Sequence, residues 1–304
     1  MSVIKVENLV QDYGHGRGVF DISFSVEKGE VFGFLGPNGA GKSTTIRHIM
    51  GFSRPQSGSV QVFDMECFDS YYKILENVGY LPGEIALPDG LTGWEFLEMM
   101  CKLRKSKNNE RLNYLLDKFS LDPSVETKRM RLGDKRKLAI IAAFLGDPDV
   151  LVLDEPTSGL DPVMQQAFID FVKEEKARGK TVLLSSHIFS EVEATCDRIA
   201  IIKDGKIVST FDADEIRHNQ NKTYQVFLSK EQDFDKFLNA CKLEISEIDK
   251  EKLAIIVKVH DSKINELTKL LSNLNVKKFK QIKLTLEDHF MGFYKEDKNY
   301  GGQL

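Results

Sequence analysis

The chain has 304 residues, 41% of them hydrophobic and 29% charged, with a formal net charge of −4 at pH 7. That length suits about two domains with full cores, and the acidic balance offers no electrostatic footing for nucleic acid. No run approaches the ~18 apolar residues that cross a bilayer, and the scattered Cys67, Cys101, Cys196 and Cys241 read as buried or incidental thiols in a reducing cytoplasm rather than metal ligands or disulfides.

The start, Met1-Ser2-Val3-Ile4-Lys5-Val6-Glu7, alternates as a strand does and lacks the pattern of a signal peptide. Strands are expected over residues 2–6, 19–26 and 31–35. The turn between the first two, residues 12–18, is rich in glycine and carries Tyr13. On the residues alone, Tyr13 reads equally as an exposed loop side chain or as an aromatic that folds back over a base.

Gly36-Pro37-Asn38-Gly39-Ala40-Gly41-Lys42-Ser43, followed by Thr44 and Thr45, fits the phosphate-binding pattern G-x-x-x-x-G-K-[ST] without a gap. Small residues let backbone N–H groups approach phosphate oxygens closely. Lys42 supplies a mobile cation, the Ser43 hydroxyl suits Mg²⁺, and the helix expected over 44–50 points its positive end at the same anion. A buried strand before the loop and a helix after it are the context that confirms such a motif.

A turn at 55–58 leads to strands over 59–63 and 78–82, the second stopped by Pro82-Gly83. From about 84 to 145 the pattern turns helical. Leu112, Leu115, Leu116 and Phe119 form one core stripe, and Phe96, Leu97, Met100 and Leu103 another. Arg129, Arg131, Lys135, Arg136 and Lys137 make a basic cluster that reads first as a solvated helix start.

Val150-Leu151-Val152-Leu153-Asp154-Glu155 is an apolar strand ending in two acids, as expected of a central parallel strand whose carboxyl end faces a ligand. Asp154 is placed to hold Mg²⁺ and Glu155 to polarise an attacking water. A loop at 157–162, a helix over 163–178 and a buried strand over 181–186 follow, with His187 at the end of that strand, where a γ-phosphate contact is favoured. Strands at 197–202 and 206–211 flank a turn.

Residues 219–304 carry a separate βαββαβ order: strands at 224–229, 243–248, 253–260 and 276–285, helices at 233–241 and 263–274, and a closing helix with Phe290, Phe293 and Tyr294. No titratable cluster there has catalytic spacing, so the segment reads as an accessory or dimer-contacting module, with a frayed tail over 298–304.

In this order the motifs of residues 1–215 resemble those of the ATP-binding subunit of an ABC transporter. Gly36–Thr44 resembles the Walker A loop, 150–155 the Walker B strand, Ser158-Gly159-Leu160-Asp161 the D-loop, His187 the switch histidine and Tyr13 the adenine-stacking aromatic. Leu286-Glu287-Asp288-His289-Phe290 is similar to a closing motif of the drug- and peptide-exporter branch. The resemblance implies an α/β P-loop NTPase of the ABC type. Its parts are a β-rich N-terminal region, a mostly parallel core sheet and a helical subdomain at about 84–145, within a nucleotide-binding domain at 1–218 and before a small C-terminal α+β domain at 219–304.

It also implies that two such domains close head to tail over two ATP molecules with Mg²⁺, that Glu155 is the base, and that a separately encoded membrane permease reads the motion from the cytoplasmic face of the membrane. The partner is a second copy or a paralogous subunit, and nucleic acid is not expected. Two positions depart from the family pattern. The signature aligns with Met130-Arg131-Leu132-Gly133-Asp134, so the serine that bonds the partner's γ-phosphate is Arg131, which either pairs with that phosphate or crowds it. The Q-loop glutamine is Gly83, followed by Glu84. Other readings are a soluble ABC-type ATPase acting on ribosomes or DNA and a regulatory subunit with weak turnover.

Overall fold

The computed structural model describes residues 1–104, 109–217, 221–282 and 285–295. The chain divides into two compact units, the first Met1–Ala213 and the second beginning at Asp214.

The first unit opens with β1 (Ser2–Asp12), β2 (Gly18–Glu27), β3 (Val31–Leu35), α1 (Lys42–Ile49), β4 (Ser57–Val62), β5 (Met65–Glu66), α2 (Cys67–Ile74) and β6 (Val78–Leu81). Then come α3 (Gly93–Leu103), α4 (Asn109–Lys118), α5 (Leu132–Phe144), β7 (Val150–Asp154), α6 (Pro162–Ala177), β8 (Thr181–Ser186), α7 (Phe189–Thr195), β9 (Arg198–Lys203) and β10 (Lys206–Asp212).

Two sheets build it. A six-stranded sheet runs β10-β9-β3-β8-β7-β6, parallel except for the β9–β10 hairpin, and an antiparallel sheet runs β2-β1-β4-β5. β3, β7 and β8 are buried along their whole length, as apolar strands covered on both faces must be. The core fills the space between the sheets. Ile4, Val6, Val60 and Val62 meet Ile46 and Ile49 of α1, which meet Phe32, Phe34, Val150, Val152 and Leu183. Helices α3, α4 and α5 follow β6, and Phe171 of α6 anchors an aromatic cluster, with Phe144 at 4.7 Å, Phe119 at 5.3 Å and Tyr114 at 6.3 Å between ring centroids.

β1 is longer than the sequence pattern suggests. It passes through a bulge where Asn8 takes φ 47° and continues pairing with β2 to Asp12. Regular helix begins only at Gly93, where Thr92 and Glu95 form a reciprocal capping box, so residues 84–91 are irregular. α2 and α7 were not legible from periodicity: each is about two turns long, and α2 exposes Phe68, Tyr71 and Tyr72 rather than burying them.

α8 (Ala213–Arg217) spans the division between the units. The second unit contains β11 (Asn221–Leu228), α9 (Glu231–Ala240), β12 (Glu244–Asp249), β13 (Ala254–His260), α10 (Ile264–Leu271), β14 (Val276–Ile282) and α11 (Leu286–Lys295). Its sheet runs β12-β13-β11-β14, antiparallel throughout, and Phe234, Phe237 and Leu267 of the two helices pack on Val226, Leu228, Ile255, Val257 and Val259. The expected tail over 298–304 lies outside the described residues.

Candidate functional site

Four strand ends meet at one edge of the six-stranded sheet. Leu35 pairs with Ser186, Ser185 with Asp154, and Leu153 with Leu81. The glycine loop, His187, Glu155 and Pro82-Gly83 therefore leave the sheet side by side at its carboxyl edge, where parallel sheets bind ligands.

The loop closes onto α1 through Gly41, whose φ of +111° is left-handed and whose Cβ, were there one, would stand 2.7 Å from Val19 Cγ1. At Gly36 the obstacle is backbone, with Ile202 O 2.5 Å from that position. Lys42 is buried beneath the loop. Its Nζ donates to the carbonyls of Gly36 at 2.5 Å and Pro37 at 3.2 Å, and lies 3.0 Å from Glu155 Oε1. Pro37, Asn38, Gly39, Gly41, Lys42, Ser43, Thr44 and Glu155 line a cleft of about 150 Å³. Ala40 is buried behind it, and its N–H donates to Pro37 O at 3.2 Å.

Asp154 is buried and accepts a hydrogen bond at Oδ1 from the Ser185 hydroxyl. Glu155 turns the chain out of β7 with φ 49°, a conformation that costs a non-glycine residue about 1–2 kcal/mol, and its N–H donates to Ser185 O at 3.0 Å. The turn brings its carboxylate between two partners, with Oε2 2.6 Å from His187 Nδ1 and Oε1 facing Lys42. Lys42, Ser43 and Glu155 thus line one cleft, with His187 behind Glu155 and Asp154 preceding it at the end of β7.

Other expected residues lie elsewhere. Tyr13 is 55% exposed at the tip of the β1–β2 hairpin, whose base at Gly18 and Val19 abuts Gly41, and it does not line the cleft. Arg131 and Leu132 are exposed where α5 begins, with Arg131 at the N-cap; Gly133 and Asp134 follow half-buried in its first turn. These four residues also stay out of the cleft. They adjoin the loop after Glu155 instead: a Cβ at Gly133 would stand 3.3 Å from Gly159 O, and Leu132 packs on Gly159. In that loop Ser158 N–H donates to Glu155 O, Leu160 is buried, and Asp161 caps α6 by accepting from the N–H groups of Val163 and Met164 at 3.0 Å.

A model of the ABC transporter family matches residues 19–158, and one of an AAA domain matches 130–192. An uncharacterised ABC transporter ATP-binding protein of Bacillus subtilis, YhcH, is 30% identical over 98% of this chain and 97% of its own length. The chain belongs to the ABC transporter ATP-binding proteins. The bacitracin transport ATP-binding protein BcrA of Bacillus licheniformis is 32% identical over 95% of this chain and 96% of its own. A solved ATP-binding subunit of an ABC transporter superposes with a TM-score of 0.65 at 31% identity, over 72% of this chain and 93% of its own. As an ABC ATPase, this ATP-binding subunit has the cassette fold and couples ATP hydrolysis to transport. Among the described residues no helix is long and apolar enough to cross a membrane.

Two polar residues at the site escaped the sequence reading. Arg136 appeared as one member of an exposed basic cluster, yet it is 3% exposed. Residues 138–144 of α5 are buried all round, so spacing along the helix gives no signal for it. Glu191, 2% exposed in α7, accepts from the Ser186 hydroxyl at 2.6 Å. Burial pushes its carboxyl up to about 7, hydrogen bonds from Ser186 and Thr157 oppose the rise, and the charge of Glu155 adds to it. No sequence signal marks it.

Proposed function

We propose that this chain is the hydrolysing subunit of an exporter-type transporter, working as a dimer on the cytoplasmic face of a membrane beside a separately encoded permease. The observation that carries the reading is the Lys42–Glu155–His187 constellation on the phosphate-sized cleft. The backbone of residues 36–44 and the Lys42 ammonium bind the triphosphate of ATP, and Tyr13 stacks on the adenine. Glu155 takes a proton from the water that attacks the γ-phosphorus as the bond to the ADP oxygen breaks, while His187 holds Glu155 and faces the γ-phosphate.

The hard oxygens of Ser43 and Asp154 suit Mg²⁺, which takes few protein ligands beside phosphate and water. Mg²⁺ so bound would neutralise charge on the phosphates. Because Arg131, Leu132, Gly133 and Asp134 stay out of this chain's own cleft, they are read as facing the nucleotide of a second copy or paralogue, with Ser158, Gly159, Leu160 and Asp161 beside them. Residues 1–218 form the nucleotide-binding domain, with 84–145 as its helical part, and 219–304 an accessory domain. We assign to the permease a groove of about 700 Å³ in which Phe52, Tyr72, Tyr80 and Met100 stand beside Glu76 and Arg104. The similarity to the bacitracin transport ATP-binding protein supports the exporter reading.

A regulatory subunit with slow turnover is the second reading, favoured because Gly83 has no side chain to extend toward the metal site. Phosphate release by the wild type and by Glu155→Gln decides between them. The variant should retain ATP binding, lose at least about a hundredfold in rate, and accumulate as an ATP-dependent dimer in light scattering. Equal rates for the two proteins would remove Glu155 from the chemistry.

A further inference from the structure

Among the described residues, the hydrogen-bond partners of the Arg136 guanidinium are all backbone carbonyls. Its Nε donates to Ser158 O at 3.0 Å, and its two terminal nitrogens donate to Pro82 O at 3.0 Å and Gly83 O at 2.7 Å. Among the described residues no carboxylate is in ion-pair contact with it, although Asp154 and Glu155 act on it through space. A buried guanidinium without a carboxylate is costly to keep, so its three carbonyl bonds are the compensation. The carbonyls come from the loop that leaves the neighbouring strand β6 and from the loop that continues the chain beyond Asp154–Glu155. Backbone at 83 approaches that strand end directly, since a Cβ there would stand 3.2 Å from Asp154 Oδ2.

We propose that Arg136 is a positioning residue for hydrolysis, fastening segment 82–83 and the 157–160 loop to the helix that presents Arg131–Asp134. With glycine at 83, a side chain from that position cannot link the segment to the site. The link runs the other way, from α5 into two main-chain carbonyls. Motion imposed on Pro82-Gly83 is thereby passed to the signature helix and to the loop after Glu155 together. Lysine would not substitute, because one ammonium on a flexible stem does not reproduce a planar fork aimed at three acceptors.

The inference rests on the hydrolysis reading above, and the test separates the two. Full-length wild type and Arg136→Lys are compared by steady-state kinetics and by hydrogen–deuterium exchange. Hydrogen bonds to a charged group are among the strongest a side chain makes, so loosening them should lower kcat at least about tenfold, with KM for ATP within about twofold. Exchange should speed up together in peptides covering 78–91 and 156–161 and stay unchanged over 36–49. Arg136→Gln, which removes the charge, should show the same paired signature more strongly. Faster exchange in only one of the two segments, or in neither, overturns the clamp. A wild type without ATPase activity would sink the hydrolysis reading, and the exchange result would still judge the clamp.

Discussion

Replacing Glu191 by glutamine tests the electrostatics behind the switch segment. The folded protein holds this carboxyl at about 7 against an ordinary 4.5. Between those values the folded state binds more protons than the unfolded one, so stability falls as pH rises through that window. At 1.36 kcal/mol per pH unit the full effect is about 3 kcal/mol, complete above about pH 8. Glutamine keeps the volume and one oxygen to accept from Ser186. Its NH₂ group cannot accept, so one carboxylate acceptor is lost beside the Ser186 and Thr157 hydroxyls, a pH-independent cost of about 1–3 kcal/mol. Glu191→Gln should therefore be less stable than wild type at pH 5 and equal or better at pH 8. Urea unfolding at pH 5, 6, 7 and 8, followed through the sole tryptophan, Trp94 in α3, reports on the first unit. A stability gap that is flat across this range would refute the argument, since Glu191 is the one titrating group by which the two proteins differ.

Two further substitutions probe the proposed ATP site. His187→Ala removes the partner of Glu155 Oε2 and should slow phosphate release by about a hundredfold while leaving ATP affinity within a fewfold, as judged by fluorescent-nucleotide titration. Arg131→Ser should change the ATPase rate of the dimer but not ATP binding by the monomer; an unchanged rate would exclude any part for Arg131 in the partner's site.

The phosphate loop and the acids after β7 were legible because their chemistry tolerates few residue types at fixed spacing. The apolar runs of β3, β7 and β8 gave the central strands for the same reason: a strand covered on both faces has no polar positions to confuse the pattern. Arg136 was not legible because a charged side chain beside Lys135 and Lys137 looks solvated until the loops that supply its carbonyls are seen. Glu191 depends wholly on tertiary neighbours. α2 lacks a buried face of its own, with only Cys67 and Ile74 covered, so no period marked it.

The contact between Lys42 and Glu155 acts as an interlock. One ammonium cannot fully serve both a carboxylate 3.0 Å away and the outer phosphates of a nucleotide. On the hydrolysis reading proposed above, phosphates that draw Lys42 toward themselves free the Glu155 carboxylate to accept a proton, which couples arming of the base to occupancy within a single chain.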